Sequence, residues 1–209
     1  MWISAREASR IFQDDAGICR QRSRRILQSG LAGEPVRTGR LTLYDDALVR
    51  DLASRPEADH GDLLRASPGG LLVLRLTGSI RSLPESWHER AAALADMPDV
   101  AGLARVQVRA RIADVGPLPF VATMCGYPVI KAELADLRPG VPGRVEADLY
   151  RPSPSRGWPH LLSGRRLTTS PGPRWLLLGS QPYLGATRRT RELRARLLAP
   201  AVASSTRWA

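Results

Sequence analysis

The chain has 209 residues and is strongly basic, with 31 lysine and arginine residues against 20 aspartate and glutamate residues. Apolar residues make up 43% of it, which is enough to bury a core and excludes wholesale disorder. It has no long apolar run to span a membrane, and its charged start, MWISAREASR, is unlike a secretory signal. We therefore expect a cytoplasmic protein whose net charge of +11 favours a polyanionic partner, nucleic acid first and an anionic membrane second.

The excess positive charge lies at the two ends of the chain. The net charge is +3 over residues 1–56, −1 over residues 57–140 and +9 over residues 141–209. Every cation except Lys131 is an arginine. A GC-rich coding bias could raise the arginine content, but it would not obviously divide the charge in this way.

Residues 1–30 carry the signals of two helices joined by a turn. Ser4-Ala5-Arg6-Glu7 is a capping box, which predicts the start of a first helix. Ala8, Ile11 and Phe12 then share one face of that helix. Residues 13–17 are polar and end in a glycine, so they predict a turn.

A second helix is predicted from Ile18 to Ser29, with Gly30 as its stop. The predicted inward side chains are Cys19, Ser23, Ile26 and Leu27. The predicted outer face is basic and carries Arg20, Gln21, Arg22, Arg24, Arg25 and Gln28.

A basic hairpin and a third helix are predicted next. Two short extended runs flank Thr38-Gly39, a two-residue turn signal with Arg37 and Arg40 beside it. Asp45 or Asp46 can cap the third helix, which Pro56 ends. Its predicted inward side chains are Leu48, Val49 and Leu52.

This order of elements resembles the DNA-binding domain of the excisionase and MerR superfamily, a winged helix-turn-helix. The matching segments are Ser4-Ala5-Arg6-Glu7-Ala8, residues 20–30, Pro35-Val36-Arg37-Thr38-Gly39-Arg40 and Leu43-Tyr44-Asp45. They cover about the first quarter of the chain. Two features depart from the family pattern: residues 13–16 lengthen the turn, and Cys19 stands where a Ser or Thr helix cap is usual.

The resemblance implies that the second helix enters the DNA major groove and that the hairpin is a wing on an adjacent minor groove or on the backbone. Arginine suits both tasks, because its planar fork can bind guanine or phosphate in a bidentate manner. The candidates for base contacts are Arg20, Gln21 and Arg24. The candidates for phosphate or minor-groove contacts are Arg22, Arg25, Arg37 and Arg40, with Thr38 between the wing arginines. The alternative, a merely solvated basic face, is less favoured in this order of elements.

Residues 57–69 are polar and mildly acidic, which predicts a linker, and residues 70–186 predict a β-rich α+β domain with an antiparallel sheet. Strands are expected at residues 71–77, 105–113, 119–124, 144–150 and 174–179, with a helix over 85–96. Residues 105–113 alternate strictly between apolar and basic or polar side chains, which is typical of a half-buried strand. Residues 187–209 predict a basic C-terminal helix and tail that packs on the domain, forms a dimer or contacts DNA. Its thin apolar strip disfavours a membrane surface.

The search for catalytic chemistry finds little. The three histidines have no metal-ligand spacing with Cys19 or Cys125, and Cys125 is interpreted as a small buried side chain. Glu146 and Asp148, with Asp114 nearby, are the best metal candidates, but we favour their pairing with arginine. We therefore expect no metal, no cofactor and no enzyme.

The sequence thus predicts a nucleoid-associated, double-stranded DNA-binding protein that acts as a site-specific transcriptional regulator or mobile-element accessory factor. Homodimers are expected, because dimers usually read symmetric sites. Two alternatives stay open: an enzyme or ligand sensor in the C-terminal domain that the winged helix delivers, and an adaptor that recruits a protein partner to DNA.

Overall fold

The computed structural model describes residues 1–76, 84, 86–98, 102–169 and 174–179, and confirms the predicted mixture of helices and sheets. The N-terminal unit contains β1 (Trp2–Ser4), α1 (Ala5–Ala16), α2 (Arg20–Gln28), β2 (Val36–Thr38), β3 (Leu41–Asp45) and α3 (Asp46–Ser54). The remainder contains α4 (His60–Ala66), β4 (Leu71–Leu76), α5 (Trp87–Ala95), β5 (Asp96–Pro98), α6 (Gly102–Val115), β6 (Leu118–Met124), β7 (Tyr127–Pro139), β8 (Arg144–Tyr150), α7 (Trp158–Leu161) and β9 (Trp175–Leu178). None of the helices within these ranges is long and apolar enough to cross a membrane.

Helix α1 begins at the predicted capping box. The Ser4 hydroxyl accepts the backbone N–H of Glu7 at 3.3 Å, and the Glu7 carboxylate accepts the backbone N–H of Ser4 at 2.9 Å. The helix continues to Ala16, where Gly17 (φ +62°) ends it in the left-handed conformation. The predicted turn over residues 13–17 is therefore wrong at residues 13–16, which are the last turn of the helix.

Helix α2 follows after only three residues. It begins at Arg20, and its buried side chains are Ser23, Ile26 and Leu27, as predicted. Gly30 (φ +79°) follows the end of the helix. Cys19 is exposed rather than inward, because it is the residue before the helix and lies outside its periodicity.

A three-stranded antiparallel sheet, in the order β1-β3-β2, packs beside these helices. The pairing of Thr38 with Leu41 confirms the predicted hairpin but makes Gly39 and Arg40 its two-residue loop, one position later than predicted. Gly39 has a positive φ of +60°, which explains why the glycine takes the first loop position. Strand β1 was not predicted.

Helix α3 closes the unit. The Asp45 carboxylate caps it by accepting the backbone N–H of Ala47 at 2.8 Å. Val49 and Leu52 are buried as predicted, whereas Leu48 is 50% exposed. The shared core of the unit contains Ile3, Ala8, Phe12, Ile18, Ile26, Leu27, Ala32, Tyr44, Val49, Leu52 and Ala53.

The segment predicted as a linker, residues 57–69, is folded onto the larger domain. Glu57 forms an isolated bridge with Arg166, and residues 60–66 form α4. Ala58 and Leu63 are buried against the larger sheet. These two apolar side chains are the reason the segment packs despite its polar composition.

The larger sheet has the order β5-β8-β7-β6-β4-β9. It is mixed rather than antiparallel throughout, because β4 and β6 are parallel. Parallel neighbours need a crossover connection, and here that connection contains α5, β5 and α6. The predicted strand over residues 105–113 is therefore wrong: the segment lies in α6, where Val108 is buried and Ile112, one turn later, packs against the same core.

Helices cover both faces of the sheet. α5 and α6 pack on one face over a core that includes Leu72, Phe120, Leu134, Leu137 and Val145. α4 and the α7 region pack on the other face around Leu63, Leu71, Val73, Val121 and Trp158. Strand β7, the longest in the described residues, was not predicted. The predicted C-terminal helix and tail over 187–209 lie outside the described residues.

The N-terminal unit is packed directly against the larger domain. Cys125 (φ +52°) and Gly126 (φ +93°) form the two-residue turn between β6 and β7. Tyr127, the next residue, is fully buried in the N-terminal core, and its ring lies 6.4 Å from that of Phe12 in an edge-to-face arrangement. One hairpin of the large sheet thus completes the core of the small unit.

Candidate nucleic-acid interface

The outer face of α2 is a continuous polar and basic surface. Arg20, Gln21 and Arg24 are exposed, as are Arg22 and Gln28, while Arg25 is half-buried. Burial of Ile26 and Leu27 in the shared core sets this orientation, because residues on the opposite side of the helix must then face solvent. The sequence therefore predicted the exposed face of α2 correctly except at Arg25, which is half-buried.

The arginines of α2 have no acidic partner in the part of the chain that the structure describes. Within the described part of the chain, no carboxylate forms an ion pair with Arg20, Arg22, Arg24 or Arg25. Other arginines do pair with carboxylates, among them Arg50, Arg55, Arg65, Arg109, Arg138 and Arg156. The positive charge of α2 is thus open to a partner from solution.

The hairpin presents a second basic surface on the same unit. Arg37, Thr38 and Arg40 are all exposed, and none of them has an ion-pair partner among the described residues. Burial raises the pKa of the Tyr44 phenol, and the nearby charge of Arg37 opposes that rise. Since Tyr44 and α2 share one core, the hairpin is held in a fixed position on the unit.

The flank of α2 that carries Arg22 and Arg25 faces the larger domain. The Cys125 thiol donates a hydrogen bond to the Arg22 carbonyl oxygen at 3.6 Å. Burial raises the pKa of Cys125, and the guanidinium groups of Arg25 and Arg22 oppose that rise. Burial also lowers the pKa of Arg75, and the charge of Arg22 lowers it further. The phosphate candidates Arg22 and Arg25 therefore lie at the junction, away from the solvent-facing stripe of Arg24.

A cleft of about 630 Å³ adjoins this junction. Its lining residues are Arg22, Glu57, Ala58, Asp59, His60, Thr168 and Thr169. Thr168 donates to the Glu57 carboxylate at 2.9 Å, and Arg75 donates to the Thr169 hydroxyl at 2.8 Å. The cleft has both acidic and basic walls, so it is not an extension of the cationic surface.

The two features that depart from the predicted resemblance, residues 13–16 and Cys19, have local explanations. Residues 13–16 lengthen α1 and leave the turn into α2 at three residues. Cys19 has the extended backbone of a helix cap but makes no side-chain cap hydrogen bond. Ser23 instead donates to the Arg20 carbonyl at 2.9 Å. Among the described residues, no side chain therefore caps the N-terminus of α2.

In the described part of the chain, the candidate metal residues are not grouped into a set of possible ligands. Asp148 accepts a hydrogen bond from Arg138 at 2.7 Å, which is the pairing with arginine that we favoured. Glu146 and Asp148 have no third acidic, histidine or cysteine side chain grouped with them in the described ranges. The arrangement gives no structural reason to assign metal chemistry to Glu146, Asp148 and Asp114.

The sequence did not indicate the role of Arg166. Its guanidinium donates to the carbonyl oxygens of Ala16 at 2.9 Å and Arg55 at 3.0 Å, at the C-terminal ends of α1 and α3. Its backbone N–H donates to Pro56, and Glu57 lies 4.0 Å away. Arg166 therefore fixes the helices that support α2, a role that no local sequence pattern could predict.

Comparison with known proteins adds no assignment. No family model, no curated protein and no solved structure matches the chain.

Proposed function

We propose that the chain binds double-stranded DNA through a winged helix-turn-helix formed by α1, α2 and the β2–β3 hairpin. The single observation that carries this proposal is the solvent-facing stripe of Arg20, Gln21 and Arg24, which has no acidic partner among the described residues. Helix α2 inserts this stripe into the major groove, where arginine and glutamine can read base edges.

The hairpin provides the second contact. Arg37 and Arg40 bind phosphate or the adjacent minor groove and add affinity that depends little on sequence. A short turn from α1, the shared core and Arg166 hold α2 in a defined orientation, which site-specific reading requires. We propose the role of a site-specific transcriptional regulator or mobile-element accessory factor that binds symmetric sites as a homodimer.

The sharpest test compares Arg24→Ala with a matched control, Arg50→Ala. Arg50 is also exposed, but it lies on α3 and pairs with Asp46 at 2.9 Å. We expect Arg24→Ala to weaken binding to a selected site by about 1–3 kcal/mol and to relax sequence preference. Arg50→Ala, with the same loss of charge, should change affinity far less. Fluorescence anisotropy with specific and scrambled duplexes measures both. Equal losses of affinity in the two variants would contradict the proposal that α2 reads bases.

A further inference from the structure

A second cleft, of about 470 Å³, lies on the larger domain between α5 and residues 151–160. Its apolar walls include Trp87, Val129, Ile130, Pro152 and Pro159. The volume is within the range of small-molecule sites, about 300–1,000 Å³. The cleft is lined by none of the residues proposed above to contact DNA.

Trp87 gives the cleft a rigid aromatic wall. Its indole N–H donates to the backbone carbonyl of Lys131 at 2.9 Å, which fixes the ring. The guanidinium carbon of Arg151 lies 5.6 Å from the centre of the ring, within cation–π distance. The cation therefore occupies this face of Trp87, and a flat ligand ring stacks there by displacing the Arg151 guanidinium.

Three cations line the cleft: Arg90, Lys131 and Arg151. Arg90 donates to the Val129 carbonyl at 2.9 Å, and Lys131 donates to the Pro159 carbonyl at 3.0 Å. These acceptors are neutral, so they orient the cations without cancelling their charge. No described carboxylate lines the cleft. Partial burial also lowers the pKa of Lys131, which a bound anion would oppose.

The outer wall of the cleft is the proline-rich segment over residues 151–159, and it is anchored at one end. The Trp158 side chain is fully buried, and Arg156 pairs with Glu133 at 3.1 Å. Lys131 also donates to the Ser163 hydroxyl at 2.8 Å, which ties the sheet to the turn after α7. This end of the outer wall is thus held in place before any ligand arrives.

We propose that this cleft binds a small organic anion that carries a flat aromatic ring. The ring displaces the Arg151 guanidinium from the face of Trp87 and stacks there, and the carboxylate, sulfonate or phosphate group of the ligand is held by Arg151, Arg90 and Lys131. The proposal does not rest on DNA binding, because the cleft uses none of the α2 or hairpin residues.

The test uses 2-naphthoate as the probe and 2-naphthalenemethanol, which has the same ring but no charge, as the matched control ligand. Isothermal titration calorimetry on the full chain should show saturable binding of 2-naphthoate and binding of the neutral alcohol at least about tenfold weaker. In ¹H–¹⁵N spectra, 2-naphthoate should shift the indole N–H resonance of Trp87, which a Trp87→Phe variant identifies.

The matched variants are Arg151→Ala and Arg165→Ala. Both remove one exposed arginine, but Arg165 does not line the cleft. Arg151→Ala should weaken 2-naphthoate binding about tenfold, and Arg165→Ala should leave it unchanged. The proposal is overturned if 2-naphthoate and the alcohol bind alike, if neither binds at millimolar concentration, or if the Trp87 resonance does not move. Equal effects of the two variants would overturn it as well.

Discussion

Single residues decide how the N-terminal unit is held. Arg166 reaches the ends of two helices at once, and Tyr127 fills the core of a unit that lies more than 70 residues earlier in the chain. Neither residue stands in a recognisable motif, so neither role could be predicted from the sequence. Both depend on long-range packing that brings Tyr127 and Arg166 against α1 and the end of α3.

Arg166→Lys should destabilise the protein by about 1–3 kcal/mol. A lysine keeps the charge, but its single ammonium group does not reproduce the fork that bonds to Ala16 and Arg55 together. Urea denaturation followed by circular dichroism measures the change in the free energy of unfolding. Arg165→Lys, at the exposed neighbouring position, is the control and should have no effect. A loss of similar size in the control would contradict the assigned role.

Ser4→Ala should destabilise α1 by about 1 kcal/mol, because it removes one half of the capping box. Hydrogen bonds from the backbone N–H and the hydroxyl of Ser4 lower the pKa of Glu7. The carboxylate interaction is therefore present at neutral pH and is lost as the pH falls through the pKa of Glu7 in the folded protein. Thermal unfolding measures the melting temperature at neutral and acidic pH. The difference in melting temperature between Ser4→Ala and the parent should be smaller at acidic pH. A difference in melting temperature that does not change with pH would contradict the role of the Glu7 carboxylate in the capping box.

Among the elements, those with strong local signals were predicted. The capping box, Gly30, the hairpin glycine and the Asp45 cap gave α1, α2, the β2–β3 hairpin and α3 within a few residues. Residues 105–113 were predicted as a strand because apolar and polar residues alternate there. They form part of α6 because the parallel strands β4 and β6 need a crossover connection between them. Strands β1 and β7 depend on distant partners, which a local pattern does not identify.

At the hairpin, Arg37→Ala should weaken binding to all duplexes alike and reduce the slope of log affinity against log salt by about 1. The reason is that Arg37 is exposed on the hairpin and is proposed to contact phosphate rather than a base. Anisotropy titrations at several salt concentrations measure both quantities. A substitution that changes sequence preference but not the salt slope would contradict this assignment.

For the whole molecule, the two parts should unfold together. Tyr127 belongs to the large sheet but lies in the core of the small unit, so its loss weakens both. Tyr127→Ala should cost about 3–5 kcal/mol, while Tyr150→Ala, at a position 58% exposed on the same sheet, should cost little. Urea denaturation should give one coincident transition by tryptophan fluorescence and circular dichroism. Two separate transitions would show that the units are independent.

The arginines of the chain differ in whether they pair with carboxylates. The arginines of α2 and the hairpin have no acidic partner among the described residues, whereas arginines such as Arg109 and Arg138 of the larger domain pair with Asp136. The C-terminal arginines beyond residue 180 lie outside the described residues, so their contribution stays a prediction. If they contact DNA, they add affinity that depends on salt and not on sequence.

The most direct test of DNA binding is selection of bound duplexes from a random library by the full chain at near-physiological salt. The proposed base contacts predict one enriched motif, with half-sites if two copies bind, and Arg24→Ala should lose enrichment at one position of it. Failure to retain any duplex, or uniform retention of the library by the parent chain, would contradict site-specific binding through α2.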